Sequence, residues 1–170
     1  ENKFDEAIPM YEKALAGKIV GTDRMTKKPA AYNSLAVCAF NAEKFAIGAK
    51  ALKDFFVEFP PTDARNKGLL DQYKIAAKNY FKLASRVYAE SKLDTDKEMV
   101  MKSLDILEMF LPEGVIFTKV DALSSTGNYI DTIKLLETVK KDSVDYDKAL
   151  YLKGVNQYNY SGVTKTKNNQ

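Results

Sequence analysis

At 170 residues, 45% hydrophobic and 29% charged, the chain is long enough and apolar enough for one domain with a continuous core, which excludes a disordered segment. Its net charge of +3, from 26 basic and 23 acidic residues, is too balanced to point to nucleic acid. With no histidine and a single cysteine it excludes histidine-based nucleophile systems, the commonest zinc ligand and an intrachain disulfide.

The chain reads as helices throughout, with no convincing strand. The first covers residues 3–16. Phe4, Ala7, Tyr11 and Ala14 recur at steps of a helix, with Leu15 beside them, so small and large residues alternate along one stripe. Such alternation lets a neighbouring helix approach closely. Pro9 removes one backbone donor, at small cost if Asp5 caps the helix and so puts the proline near its start. From Gly17 to Pro29, glycines, a proline and charges predict a linker, longer than the usual connection and thus a candidate binding loop.

Residues 30–42 and 45–59 then form an antiparallel pair across a short break. Phe45, Gly48, Leu52 and Phe55 repeat the stripe until Pro60 and Pro61 end it. Cys38 lies in the apolar run Leu35–Phe40 and reads as an inert thiol. A polar connection over 62–67 precedes a long helix, 68–91, whose stripe runs through Tyr73, Ala77, Tyr80, Ala84, Val87 and Tyr88. Thr95 and Glu98 predict a capping box for a helix at 96–111, stopped by Pro112 and Gly114.

Residues 115–126 and 129–141 form another pair, with Gly127 suited to the positive backbone angle of the turn and Tyr129, Thr132, Leu136 and Val139 in the familiar steps. A last helix spans 145–159. The segment 161–170 lacks apolar periodicity and reads as a flexible tail behind a helical domain of residues 1–160. The carboxylates at Asp94, Asp96, Asp142, Asp145 and Asp147 cluster at helix starts, where they favour the dipole and cap amides. No metal or other cofactor is expected. No apolar run reaches the roughly 20 residues of a membrane span, so no membrane insertion is expected.

The recurring stripes have a family likeness. Tyr32, Leu35, Ala36, Phe45, Gly48, Leu52, Phe55 and Pro60, then Gly127, Tyr129, Ile133, Leu136 and Val139, and the opening segment, all fall on the pattern of small and large positions of the tetratricopeptide repeat, which the chain resembles. Unit spacing is irregular, and the unit of helices 68–91 and 96–111 matches only through its length, its closing Pro112 and its small residues Ala77 and Ala84. The resemblance implies an all-α, right-handed superhelix of stacked antiparallel pairs, a TPR-like solenoid, since one pair cannot bury its apolar face alone. It also implies a concave groove, lined by the first helix of each pair, that binds peptides or protein segments.

Off the packing stripe, the first helices offer Asn33, Val37, Phe40 and Asn41, then Phe81, Ser85 and Tyr88. Further along they offer Phe117, Asp121 and Ser124, then Tyr151, Val155 and Tyr158. Aromatics supply rigid contact area and amides pair with a ligand backbone. The same aromatics suit a core between helices, and both readings stand. In cochaperone members of the family Lys and Asn hold a C-terminal carboxylate. Asn33 with Lys74 or Lys78 comes nearest, but Asn33 stands one residue off the required place, about 100° round the helix.

The expected function is therefore a non-catalytic interaction module for a protein or peptide partner. The alternative is a structural scaffold segment of a larger assembly with no peptide ligand. Phe4, Tyr11 and Leu15 at one end, and Leu150, Leu152 and Tyr158 at the other, leave apolar faces. Array ends need covering, so further segments, a neighbouring chain or self-association are expected there.

Overall fold

The computed structural model describes residues 3–17, 22–112 and 115–168, and among them it is all helical. The chain divides into two compact units, Glu1–Pro112 and Glu113–Gln170, where the sequence reads as one continuous array.

The first unit contains α1 (Lys3–Ala16), α2 (Thr22–Asn41), α3 (Phe45–Glu58), a 3-10 helix (Ala64–Leu69), α4 (Leu70–Ser91) and α5 (Asp94–Phe110). Each α-helix packs against the next, and α2 also packs against α4. The core is a layer of small residues threaded with aromatics. Ala36, Ala39, Gly48, Ala76 and Ala77 let the helices approach, while Leu52, Phe55, Phe59 and Leu83 fill the space between them. Gly48 marks the closest approach: a Cβ there would stand 2.8 Å from Leu83 Cδ1 and 3.1 Å from Ala39 Cβ. Beside this layer the Tyr73 ring stacks on Phe110 at 5.0 Å and on Phe56 at 6.0 Å. The Tyr73 hydroxyl donates to Phe59 O at 2.9 Å and so satisfies a carbonyl at the end of α3.

Three local readings are corrected. Helix α2 begins at Thr22, not after Pro29, so the expected binding loop shrinks to a short connection whose residues 18–21 lie outside the described set. Pro29 costs one backbone bond, but its ring is fully buried and its neighbours are anchored. Lys28 reaches Glu58 at 2.8 Å, and Arg24 reaches it at 3.5 Å while lying over the Phe59 ring. Helix α5 starts at Asp94, which puts Thr95 inside the helix and dissolves the capping box. Ser91 replaces it, donating to Asp96 Oδ2 at 2.6 Å and accepting from Leu93 N. On α1 the buried side is Ile8, flanked by half-buried Tyr11 and Leu15, while Phe4 and Ala14 are exposed. That face meets α2.

The second unit contains α6 (Val115–Ser125), α7 (Tyr129–Glu137) and α8 (Tyr146–Asn168). Val120, Leu136 and Ala149 form its core, with Phe117, Leu135, Val139 and Leu152 packed around them. Helix α7 stops at Glu137, short of the expected 141, where Thr138 Oγ1 donates to Leu135 O at 2.7 Å and tightens the last turn. Helix α8 continues well past 159, where a flexible tail was expected. Ser161 and Thr164 turn their hydroxyls onto carbonyls of the preceding turn, Tyr158 O and Ser161 O, instead of competing with the helix. Residues 169 and 170 lie outside the described set.

The hairpins α2–α3 and α6–α7 turn alike. Lys44 N donates to Ala39 O and Glu43 N to Phe40 O; Asn128 N donates to Leu123 O and Gly127 N to Ser124 O. This is the Schellman geometry, which needs a positive φ at the residue after the helix. Gly127 supplies it at 76°, and Glu43 adopts it at 57° despite its side chain.

Candidate functional site

The first-helix residues of the first unit fall into three groups. Val37 and Asn41 are exposed on α2, and the Asn41 amide donates to Val37 O in its own helix at 2.8 Å. Phe40 is half-buried and tilts against Phe45 at 5.7 Å. Phe81, Ser85 and Tyr88 are half-buried on α4, with Lys92 Nζ over the Tyr88 ring at 5.2 Å. Asn33 is different: it is buried, and its amide donates to Gln72 Oε1 at 2.9 Å and Gln72 O at 3.3 Å. It ties α2 to α4 rather than facing outward. Its own Oδ1 is buried without a partner.

The second unit has a similar polar tie. Ser124 on α6 donates to Asn156 Oδ1 at 2.9 Å, and the Asn156 amide returns to Leu152 O. Phe117 joins the small core with Lys148 Nζ 4.1 Å over its ring. Asp121 is exposed. Tyr151, Val155 and Tyr158 line the side of α8 away from Ala149 and Asn156, and the two tyrosines are 71% and 79% exposed. Of the candidate residues in this unit, the two tyrosines present the broad open contact area.

Sequence reasoning missed the charge network at the α2–α3 junction. Tyr32 donates to Glu58 Oε2 at 3.0 Å, opposite the Lys28 contact. Burial by itself would push the Glu58 carboxyl up, but hydrogen bonds from Lys28 and Tyr32 and the charges of Lys28 and Arg24 carry it below the usual range. Burial, then the bond to Glu58, raises the Tyr32 phenol, so it stays a donor. Nearby, Asp63 caps the 3-10 helix and accepts two guanidinium nitrogens of Arg65, which holds its carboxyl down at about 2. Of this network only Tyr32 stood on a recognisable stripe; its pairing with Glu58 across two helices has no local signature.

A groove of about 360 Å³ opens between α1, α2 and α3, floored by Tyr32 and Leu35 and walled by Leu15, Ile47 and Ala51. Among the described residues no three His, Cys, Asp or Glu side chains come together in a way that could hold a metal ion. No described helix is long and apolar enough to cross a membrane. The arrangement offers exposed contact surface at Val37 on α2 and at Tyr151, Val155 and Tyr158 on α8, while the amides of Asn33, Asn41 and Asn156 are engaged within the protein.

Comparison with protein-family models, with curated proteins and with solved structures gives no match.

Proposed function

We propose that the chain is a non-catalytic protein-interaction module built as a TPR-like array, in which the first helices of successive pairs hold a peptide or protein segment. The observation that carries this reading is the contact between α2 and α4, which are not consecutive α-helices. Side-by-side first helices form a common face, as stacked antiparallel pairs require. The matching Schellman turns of α2–α3 and α6–α7 support a repeated unit. Exposed Val37 and Asn41 in one unit, and Tyr151, Val155 and Tyr158 in the other, supply contact groups.

The test is a peptide array probed with the intact chain, Val37→Asp and Tyr151→Ala/Tyr158→Ala. These positions are exposed, so each variant should keep the parent circular dichroism. Peptides lost in either variant support the reading, and an array with no bound peptide refutes it. The open tyrosines of α8 also favour a second reading, a scaffold segment packed against other parts of an assembly. In that case the tyrosines are protected from solvent labelling in the assembly and no free peptide competes.

A further inference from the structure

Helix α4 carries Lys74, Lys78, Lys82 and Arg86, one cation every fourth residue. That spacing turns each side chain about 40° from the last and advances it about 6 Å, so the four make a ridge roughly 18 Å long. Lys78, Lys82 and Arg86 are exposed and Lys74 is half-buried. Among the described residues none of the four forms an ion pair. Like charges four apart on a helix repel and weaken it. Elsewhere this chain uses the same spacing to pair opposite charges, Asp23 with Lys27 at 2.9 Å and Lys50 with Asp54 at 2.6 Å.

A second observation concerns the carboxylates. Helix α4 has none between Asp71 and Glu90, and α2, packed beside it, has none after Asp23. The acids of this unit's helices stand mainly on α1, α3 and α5, such as Glu12, Glu58 and Asp105. Along this stretch α4 therefore holds cations with no balancing anions of its own, and among the described residues none of the acids on α5, which also packs against it, forms an ion pair with them. Ile75 on α4 and Val37 on α2 are 46% and 43% exposed and add apolar contact.

From the ridge and its missing counter-charges we infer that α4 is the docking surface for an acidic helical segment of a partner protein. A helix with Asp or Glu at every fourth position repeats its carboxylates at the same step of about 6 Å, so each cation meets one anion when the two helices cross at about 50° and their inclined rows run side by side. This inference rests on the interaction-module reading and names its partner's chemistry. Side-chain carboxylates are the target, since the Asn33 amide, which a terminal-carboxylate clamp would use, is engaged by Gln72.

The experiment measures fluorescence anisotropy with a labelled helical peptide bearing Glu at every fourth position and Leu beside alternate Glu residues. Its counterpart has Gln for Glu. The protein is the intact chain and Lys82→Glu. The acidic peptide should bind at least about tenfold more tightly than the Gln peptide, and its affinity should fall as salt is raised. Lys82→Glu places an anion between Lys78 and Arg86, so it should weaken acidic-peptide binding about tenfold while raising the thermal midpoint. Equal binding of the two peptides, or binding unchanged in Lys82→Glu, overturns the inference. Tighter binding of polyuridylate RNA or phosphatidylserine vesicles overturns it as well. If neutral peptides bind and depend on Val37, the module reading survives and this inference alone fails; if no peptide binds, both fail.

Discussion

Gly48→Ala and Gly154→Ala are the same chemical change with opposite expected signs. In both helices alanine gains about 1 kcal/mol of backbone propensity over glycine. At Gly154 on α8 the added methyl meets nothing within 4 Å, so the gain should appear in full. At Gly48 the methyl would lie 2.8 and 2.9 Å from the two terminal carbons of Leu83 and 3.1 Å from Ala39 Cβ. Ordinary carbon contacts are about 3.5–4.0 Å, so Leu83 must retreat by roughly 0.7 Å. Leu83 is 1% exposed and Ala39 fully buried, so the retreat pushes into packed neighbours. Overpacking costs about 1–3 kcal/mol. Set against the propensity gain, Gly48→Ala should lose about 0–2 kcal/mol, and the two variants should differ by about 1–3 kcal/mol. Native-state hydrogen exchange, read separately on amides of α3 and α8, measures each change in its own unit. Leu83→Ala, itself costing about 2–5 kcal/mol, should remove most of the Gly48→Ala penalty when the two are combined. Equal stabilisation by both glycine replacements, or an unchanged Gly48→Ala penalty in the Leu83→Ala background, would refute the close-approach argument.

Two further predictions follow from local geometry. Glu58→Gln keeps an acceptor for Tyr32 but removes the charge facing Lys28 and Arg24. At pH 7 it should cost about 1.5 kcal/mol, the low end for a hydrogen bond to a charged group. Because the folded carboxyl titrates below its ordinary value of 4.5, this stability is complete above 4.5 and is lost as pH falls through the lowered value. Urea unfolding from pH 7 down to pH 3 should show the two proteins converging, and a constant gap would count against the network. Glu43→Gly should stabilise the α2–α3 turn by about 0.5–1 kcal/mol, because φ is 57° there and glycine takes that angle without strain. A lower unfolding midpoint for Glu43→Gly would show that the turn does not hold this conformation in solution.

Much of the helical framework was legible because its signal is local. The steps of Gly48, Leu52 and Phe55, and of Tyr73, Ala77, Tyr80 and Ala84, place a continuous apolar side on each helix, and these residues are buried. Gly127 announced its turn because a positive φ selects glycine. The row from Lys74 to Arg86 was likewise present in the sequence, but its significance was not, since spacing does not reveal whether acids stand opposite. That depended on α2 arriving beside α4 with no carboxylate in its middle. Tertiary contacts also decided where α2 begins: Glu58, far along the chain, holds Lys28 and Arg24 and draws the helix back through Pro29. Asn33 lay off the packing stripe, and only the approach of Gln72 turned it inward. A helix repeats within 3.6 residues and so writes itself into a short window. The partner of a buried amide, a carboxylate or an exposed cation comes from another helix and is fixed only when the helices pack.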